Sequence, residues 1–348
     1  MDSRLKNFLF GTVLLGTFVF PSLLFAQAPV KVIFDTDIGN DVDDVMALAL
    51  LHNFQNRGDI DLLAVTVTKD NQYAAAFVKM FNTFFGHPDI PIGLVQESHV
   101  EPQDGDYLKQ TLEAVNENNE PMFPNYQEYI DTRYPDATVI LRQTLAASED
   151  HSVVIAMVGF ATNLARLLDT PADTISPLTG RELAQQKVKE VLVIGGTFSE
   201  ELKDLSEYNI ANDIPSARKF FTEWPGPVIV NSFETGCDIF MTSQSIEEDY
   251  NYVPNHPVKI AYNFYCRGQE RPTWDLNTVL QIARPNRNYF TFSEPGTVTV
   301  QDNGTTRFEA GPEGNVRLMT ATPEQKKRIQ EAYLWLCSEM QQDPNHSR

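Results

Sequence analysis

Little of this chain is basic and very little of it is cysteine. Its 348 residues carry 27 Lys and Arg against 47 Asp and Glu, a formal charge of -20. Nucleic-acid backbones are gripped by Lys and Arg that neutralise phosphates, and no basic run longer than Lys326, Lys327 and Arg328 follows residue 30. Nucleic acid is therefore not an expected partner. The three cysteines, Cys237, Cys266 and Cys337, fit no CxxC spacing and are too few to staple a scaffold. At most one bridge can form, and buried structural thiols are the expectation. Internal repeats, low-complexity tracts and a clear linker are also missing.

Long apolar runs are confined to the beginning. Arg4 and Lys6 precede FLFGTVLLGTFVFPSLLFA, which ends at Ala26 and is interrupted by Pro21. This is the layout of a secretory signal peptide over residues 1 to 26, cleaved after Ala26, with an uncleaved anchor as the rival reading. No other stretch reaches spanning length, so no membrane contact is expected after cleavage. The chain is 42% hydrophobic, enough to bury a substantial core. Residues 27 to 348 read as a single catalytic domain with a C-terminal hairpin and helix.

From residue 29 short β-branched runs alternate with helical stretches. PVKVIF, DLLAVTV, IPIGLV, SVVIAMVG, VKEVLVIGG and PVIVNSF are near-continuous apolar strands of the kind buried on both faces. VMALALLHNF, YAAAFVKMFNTFF, ATVILRQTLAA, TNLARLL and PSARKFFTEW carry apolar residues at helical spacing. The alternation predicts an α/β fold: an open, mainly parallel, Rossmann-like sheet with helices on both faces. Ligands in such sheets bind beyond the carboxyl ends of the strands. Residues 97 to 135, rich in Asn, Glu, Gln and Pro, read as a flap or a surface excursion. TVTVQDNGTTRFEA predicts a hairpin turning at Asp302, Asn303 and Gly304. Thr322, Pro323 and Gln325 form the capping box of a last helix.

The acidity is not evenly spread. In VIFDTDIGNDVDDVMALALL, residues 32 to 51, five aspartates fall within ten positions: Asp35, Asp37, Asp41, Asp43 and Asp44. They lie between a buried strand and a helix apolar on nearly every side. Crowded carboxylates drive one another toward protonation unless a positive charge sits among them. Helix capping accounts for one or two aspartates at a helix start, but not for five. A hard divalent cation answers the repulsion better, because Asp37 at the strand end and Asp43 or Asp44 at the helix start can converge across the turn. Calcium accepts six to eight oxygens with loose angles, whereas magnesium wants a strict octahedron and usually a phosphate.

DTDIGNDVDD followed by an apolar helix resembles the amino-terminal signature of the nucleoside hydrolases, the inosine-uridine-preferring family that cleaves the N-glycosidic bond of ribonucleosides. Further landmarks follow in order. VGFATNLARLL is similar to the segment whose strand-end carbonyl binds calcium, which falls on Val158. VLVIGGTF and SEYNIANDIPSA resemble the Gly-Gly strand, with pocket-lining Ile194, and the ribose-binding pair Glu207 and Asn209. DNQ matches a ribose-binding Asn at Asn71, and RPTWDL places a late calcium aspartate at Asp275. The resemblance implies the nucleoside hydrolase fold and Ca2+ held by Asp37, Asp44, Asp275 and the Val158 carbonyl. It implies Asp37 as general base on a calcium-bound water, with Asp43, Asn71, Glu207 and Asn209 on the ribose of a nucleoside substrate. It also implies a homo-oligomer, dimer or tetramer; with the signal peptide it points to secretion, into a bacterial periplasm.

The chain departs from the family pattern twice. Asp41 and Val42 delay the final aspartate pair by two residues, leaving open whether Asp41 or Asp43 meets the ribose. Trp274 stands where the best-known members have a histidine beside the late aspartate. An indole cannot pass a labile proton to a leaving base, although it can stack on a flat ring and offer one N–H. Of the six histidines, His99 and His151 lie nearest these segments, and both read as surface residues. Two other readings compete: a catalytically silent ribose- or nucleoside-binding protein, and a phosphatase of the haloacid-dehalogenase type, which also opens with a strand and Asp-x-Asp.

Overall fold

The structure is a computed structural model that describes residues 28–98, 100 and 106–339; the signal segment and His99 lie outside them. Twelve strands occur among the described residues: β1 (Val30–Thr36), β2 (Ile60–Val67), β3 (Ile92–Leu94), β4 (Val153–Met157), β5 (Val188–Ile194), β6 (Val228–Asn231), β7 (Phe240–Met241), β8 (Arg271–Pro272), β9 (Thr291–Phe292), β10 (Gly296–Val300), β11 (Thr306–Ala310) and β12 (Val316–Thr320). Ten of them form one sheet in the order β11-β10-β12-β6-β5-β4-β1-β2-β3, with β9 paired to β12, while β7 and β8 form a separate ribbon. All six apolar runs of the sequence are strands, and β1 to β6 pair in parallel.

Those runs are apolar throughout because both sheet faces are covered. Val32 and Phe34 of β1 pack with Leu48, Leu51 and Phe77, whereas Ile33, one residue out of step, packs with Leu141, Leu164 and Phe220; alternate residues of a strand face opposite sides. The helix Asp43–Asn56 is buried from Asp43 to Phe54, held between the sheet and the helices Asp275–Ala283 and Pro323–Cys337. Burial of a leucine such as Leu48 or Leu51 is worth about 1.5–3 kcal/mol, so this helix is fixed by packing on every side.

The expected hairpin forms, β10 against β11, with Gly304 at φ +81° in its turn. Sequence patterning did not show that β12 then pairs in parallel with β6, carrying the hairpin into the main sheet. The capping box is complete: the Gln325 amide donates to Thr322 Oγ1 at 3.2 Å, and the Thr322 amide donates to Gln325 Oε1 at 2.8 Å. The segment read as a flap or excursion holds two short helices, Tyr107–Leu112 and Tyr126–Asp131, and buries Tyr107, Leu108 and Leu112. All three cysteines are free; Cys337 is buried, but Cys237 and Cys266 are only partly so, which corrects the expectation for those two. No helix among the described residues is long and apolar enough to cross a membrane.

Strand order decides where a ligand can enter. From β1 the chain steps outward through β2 and β3, then returns to β4 on the other side of β1. A crevice opens beyond the carboxyl ends at such a reversal. Asp37 follows β1 there, and Val158 follows β4.

Candidate active site at the strand switch point

The two strand ends touch. A Cβ on Gly159 would lie 2.4 Å from the Asp37 amide nitrogen and 2.7 Å from Thr36 carbonyl carbon, so no side chain fits between the ends of β4 and β1. Gly39, at φ +119°, turns the chain from β1 toward the next helix in a conformation that residues with a Cβ rarely adopt. Asp35, inside β1, is wholly buried and serves the scaffold: it accepts from Thr66 Oγ1 at 2.5 Å and Asn163 Nδ2 at 2.8 Å. Burial raises its carboxyl to about 7.

Beyond these ends lies a cavity of about 430 Å³ whose lining includes Asp37, Asp41, Asp43, Asp44 and Asp275. Asp43, Asp44 and Asp275 each offer a carboxylate oxygen within 4.8 Å of the others. Burial, and after it mutual repulsion, holds the carboxyls of Asp44 and Asp275 well above the ordinary range; Asp43 is raised by burial and by Asp41. Asp37 is pushed to about 7 by burial, partly countered by the Asn40 amide and the Lys69 ammonium. Asn40 donates to Asp37, and Lys69 Nζ donates to Asn40 Oδ1 at 2.6 Å. No Lys or Arg among the described residues hydrogen-bonds Asp43, Asp44 or Asp275: Thr36 donates to Asp44, and the amides of Trp274 and Asp275 donate to Asp43 at 3.0 and 3.3 Å.

The other anticipated residues divide. Val158, Ile194, Glu207, Asn209 and Trp274 all line the cavity. Asn209 Nδ2 donates to the Val158 carbonyl at 2.7 Å. Glu207 caps the short helix Tyr208–Asn212 and takes the amides of Gly196, Asn209 and Ile210; burial raises its carboxyl. Asn71 does not line the cavity. Its side chain accepts from the Tyr73 amide at 2.8 Å and caps the helix Gln72–Phe84, and it borders a separate depression with Asp70 and Arg133. An asparagine directly before a helix is readily taken by the cap, which corrects its assignment to this cavity. His151 is exposed, as expected.

The profile of the inosine-uridine preferring nucleoside hydrolases matches residues 32–328. The chain belongs to that family. Solved structures share the fold: an inosine-uridine preferring nucleoside hydrolase from Bacillus anthracis at 18% identity and TM-score 0.64, over 89% of this chain and 100% of that one; a purine-preferring ribonucleoside hydrolase from Gardnerella vaginalis at 15% and 0.66, over 88% and 98%; and a plant nucleoside hydrolase at 20% and 0.64, over 88% and 99%. No curated protein matches by sequence.

As a nucleoside hydrolase the protein is a glycosidase, and the phosphatase reading falls. Its donor set fits a hard divalent metal: buried carboxylates of Asp43, Asp44 and Asp275 with no cationic hydrogen-bond partner among the described residues, beside Asp37 and the Val158 carbonyl. Five residues of this nucleoside hydrolase site escaped sequence reasoning. Arg271 holds Asp41, 230 residues away. Tyr107 Oη accepts from the Gly39 amide at 3.1 Å and donates to the Asp41 carbonyl at 2.5 Å. Asn231, the last residue of β6, donates to the Trp274 carbonyl at 2.7 Å. Asn40 and Lys69 complete the set. Arg271 opens RPTWDL, Asn231 lies in PVIVNSF and Asn40 lies inside DTDIGNDVDD, but none of these stretches shows what its side chain meets.

Trp274 is also better defined than its sequence allows. Its indole N–H donates to the Phe233 carbonyl at 2.9 Å, and its ring lies 5.5 Å from that of Phe233. The free N–H expected of it is therefore already used, and what it presents is a ring.

Proposed function

We propose that the protein is a calcium-dependent hydrolase that splits the N-glycosidic bond of ribonucleosides into free base and ribose, with Asp37 as general base. The observation that carries this reading is the gathering of Asp43, Asp44 and Asp275, all buried, beside Asp37 in one switch-point cavity. Calcium suits an all-oxygen set that includes a backbone carbonyl and no phosphate; Asp37, Asp44, Asp275 and Val158 would hold it, with Asp43 within reach of the same centre. Bound there, it supplies the charge that keeps the carboxylates ionised and acidifies water in the cavity.

The chain's own residues do the remaining work. Ionised Asp37 takes the proton of the attacking water, and Asn40 fixes its orientation from behind. Asp43 and Glu207 accept from ribose hydroxyls, because a carboxylate has about four acceptor sites and backbone amides use only part of them. Asn209 directs one amide hydrogen to Val158, leaving its carbonyl oxygen and the second hydrogen to the sugar. Charge grows on the sugar ring as the bond breaks, and the acidic lining stabilises it. Trp274, Phe233 and Tyr265 supply a flat wall for a base. We also place the enzyme outside the bacterial cytoplasm, on the strength of Arg4, Lys6 and the apolar run to Ala26, and as a dimer or tetramer, on the family resemblance.

A second reading, a ribose- or nucleoside-binding protein without turnover, is favoured by one observation: Trp274 has spent its N–H, and no histidine among the described residues lines the cavity. Incubation with a panel of purine and pyrimidine ribonucleosides, with and without chelator, decides between them by release of free ribose. Chelator-sensitive ribose release supports the hydrolase, while tight binding with no ribose from any nucleoside establishes the second reading.

A further inference from the structure

A base that departs from ribose takes the electron pair of the broken bond, and the cavity wall is poor in groups to receive that charge. Its lining carboxylates repel it. The Trp274 N–H is committed, Asn40 and Asn209 each direct one of their two amide hydrogens to Asp37 and Val158, and the lining hydroxyls of Tyr208 and Tyr265 carry no positive charge. Arg271 is different. Among the described residues it is the one cationic side chain that lines the cavity. Asp41 holds its Nε and Nη2, fixing the plane of the guanidinium, while Nη1 makes no hydrogen bond among the described residues. The group sits 5.4 Å from the centre of the Tyr265 ring and 5.8 Å from that of Trp274, beside the flat wall that suits a base. Asp41 belongs to the two-residue insertion by which the chain leaves the family pattern, and Arg271 lies three residues before Trp274, the second departure.

From this geometry we infer that Arg271 contacts the leaving group and stabilises it as an anion. The inference rests on the hydrolase reading above and deepens it. The C1′–N bond breaks and its electron pair stays with the base nitrogen. Water oxygen bonds to C1′ and its proton passes to Asp37. Arg271 donates a hydrogen bond from Nη1 to an acceptor on the departing base and keeps its protons, since a guanidinium does not deprotonate in a protein. The base anion then takes a proton from solvent. Asp41 acts as the positioning residue that holds the guanidinium plane. Catalysis of this kind matters most where the leaving group is a poor one, because only then does charge on it raise the barrier.

The test compares two substrates in wild type, Arg271→Gln and Arg271→Lys: a purine ribonucleoside, and 4-nitrophenyl riboside, whose phenolate leaves readily without help. Removing one such donor costs about 10²-fold in kcat. Arg271→Gln should therefore lose about that on the purine ribonucleoside and only a few-fold on the nitrophenyl riboside, and Arg271→Lys, which keeps the charge, should recover part of the loss. Calcium affinity by calorimetry should stay close to wild type in both variants, which separates the leaving-group role from a collapsed cavity. If Arg271→Gln does not fold, the same selective loss, smaller in size, is read from Arg271→Lys. Equal losses on both substrates, or no loss on either, overturn this inference and leave the hydrolase reading standing. Wild type that cleaves only the nitrophenyl riboside overturns it too, and wild type that cleaves neither overturns the hydrolase reading together with it.

Discussion

Two of the places where the molecule buries titratable groups treat them oppositely. Behind the helix Asp43–Asn56 lies a nest of rings: His52 stacks on Phe85 at 4.9 Å and pairs its Nε2 with Asn82 Oδ1 at 2.9 Å, while His256 meets Phe84 and Tyr250 edge-on. Burial drives both histidines down to about 3, so they are neutral at pH 7 and behave as aromatic packing. At the other end of the same helix, Asp37, Asp43, Asp44 and Asp275 are buried just as deeply, and burial drives them upward. Neutrality costs the histidines nothing, because packing is all that is asked of them. On the proposed mechanism Asp37 must be ionised to take a proton, and an imported cation would keep it so.

The largest expected effect tests whether the acid nest is chemical or merely polar. Asp37→Asn keeps the shape and removes the base; ribose release should fall by about 10²- to 10⁴-fold, with a circular dichroism spectrum like that of wild type. A loss below tenfold would move the base to another carboxylate.

Next in size is removal of the metal, read as stability against pH. Without metal, native Asp37 holds its proton up to about 7 while its unfolded counterpart loses it near 3.8. The native state then binds more protons across that window, so acid-nest stability is present at low pH and is lost as pH rises through it. The histidines give the reverse slope: unfolded imidazole protonates near 6.5 and native His52 only near 3, so their contribution fades as pH falls between those values. Calcium should cancel the first slope and leave the second. At a concentration 100 times its Kd it adds about 2.7 kcal/mol at neutral pH, visible in urea melts with and without chelator. An equal melt in both conditions at pH 7 would refute the cation.

How much of this was legible in the sequence follows from chain distance. β1 to β6 each announced themselves through a local apolar run, and the aspartates through crowding within ten residues. The cavity's long-range ties did not: Arg271 reaches Asp41 and Asn231 reaches Trp274 only after the sheet has closed, and nothing in either neighbourhood shows the partner. Asn71 went astray for the opposite reason. It stands at a strand end, the right address for a ligand residue, and a local helix cap claims its side chain. Trp274 lines the cavity, but its use of its N–H depended on Phe233, 41 residues away.

A smaller effect sharpens the contrast from the histidine side. His52→Leu strips Asn82 of a buried partner, which costs about 1–3 kcal/mol. It should also flatten part of the acid-side slope and leave kcat unchanged. A fall in kcat would show that the ring nest and the acid nest communicate through the helix they share.

The smallest change tests the loop itself. Tyr107 comes from the segment that read as a flap or a surface excursion, and its hydroxyl accepts from Gly39 and donates to Asp41, pinning both sides of the turn that carries Asp37. Tyr107→Phe keeps the buried ring and removes only that oxygen. Each lost hydrogen bond is worth about 0.5–1.5 kcal/mol, and a slightly freer turn misplaces Asp37 in only part of the population, so kcat should drop by about tenfold or less. KM should move less than kcat, because Glu207 and Asn209, the proposed sugar contacts, sit at the start of the separate helix Tyr208–Asn212. A drop as deep as that of Asp37→Asn would mean that the hydroxyl meets the reacting atoms directly, while no drop would mean that Gly159, packed against the Asp37 amide, fixes the turn alone.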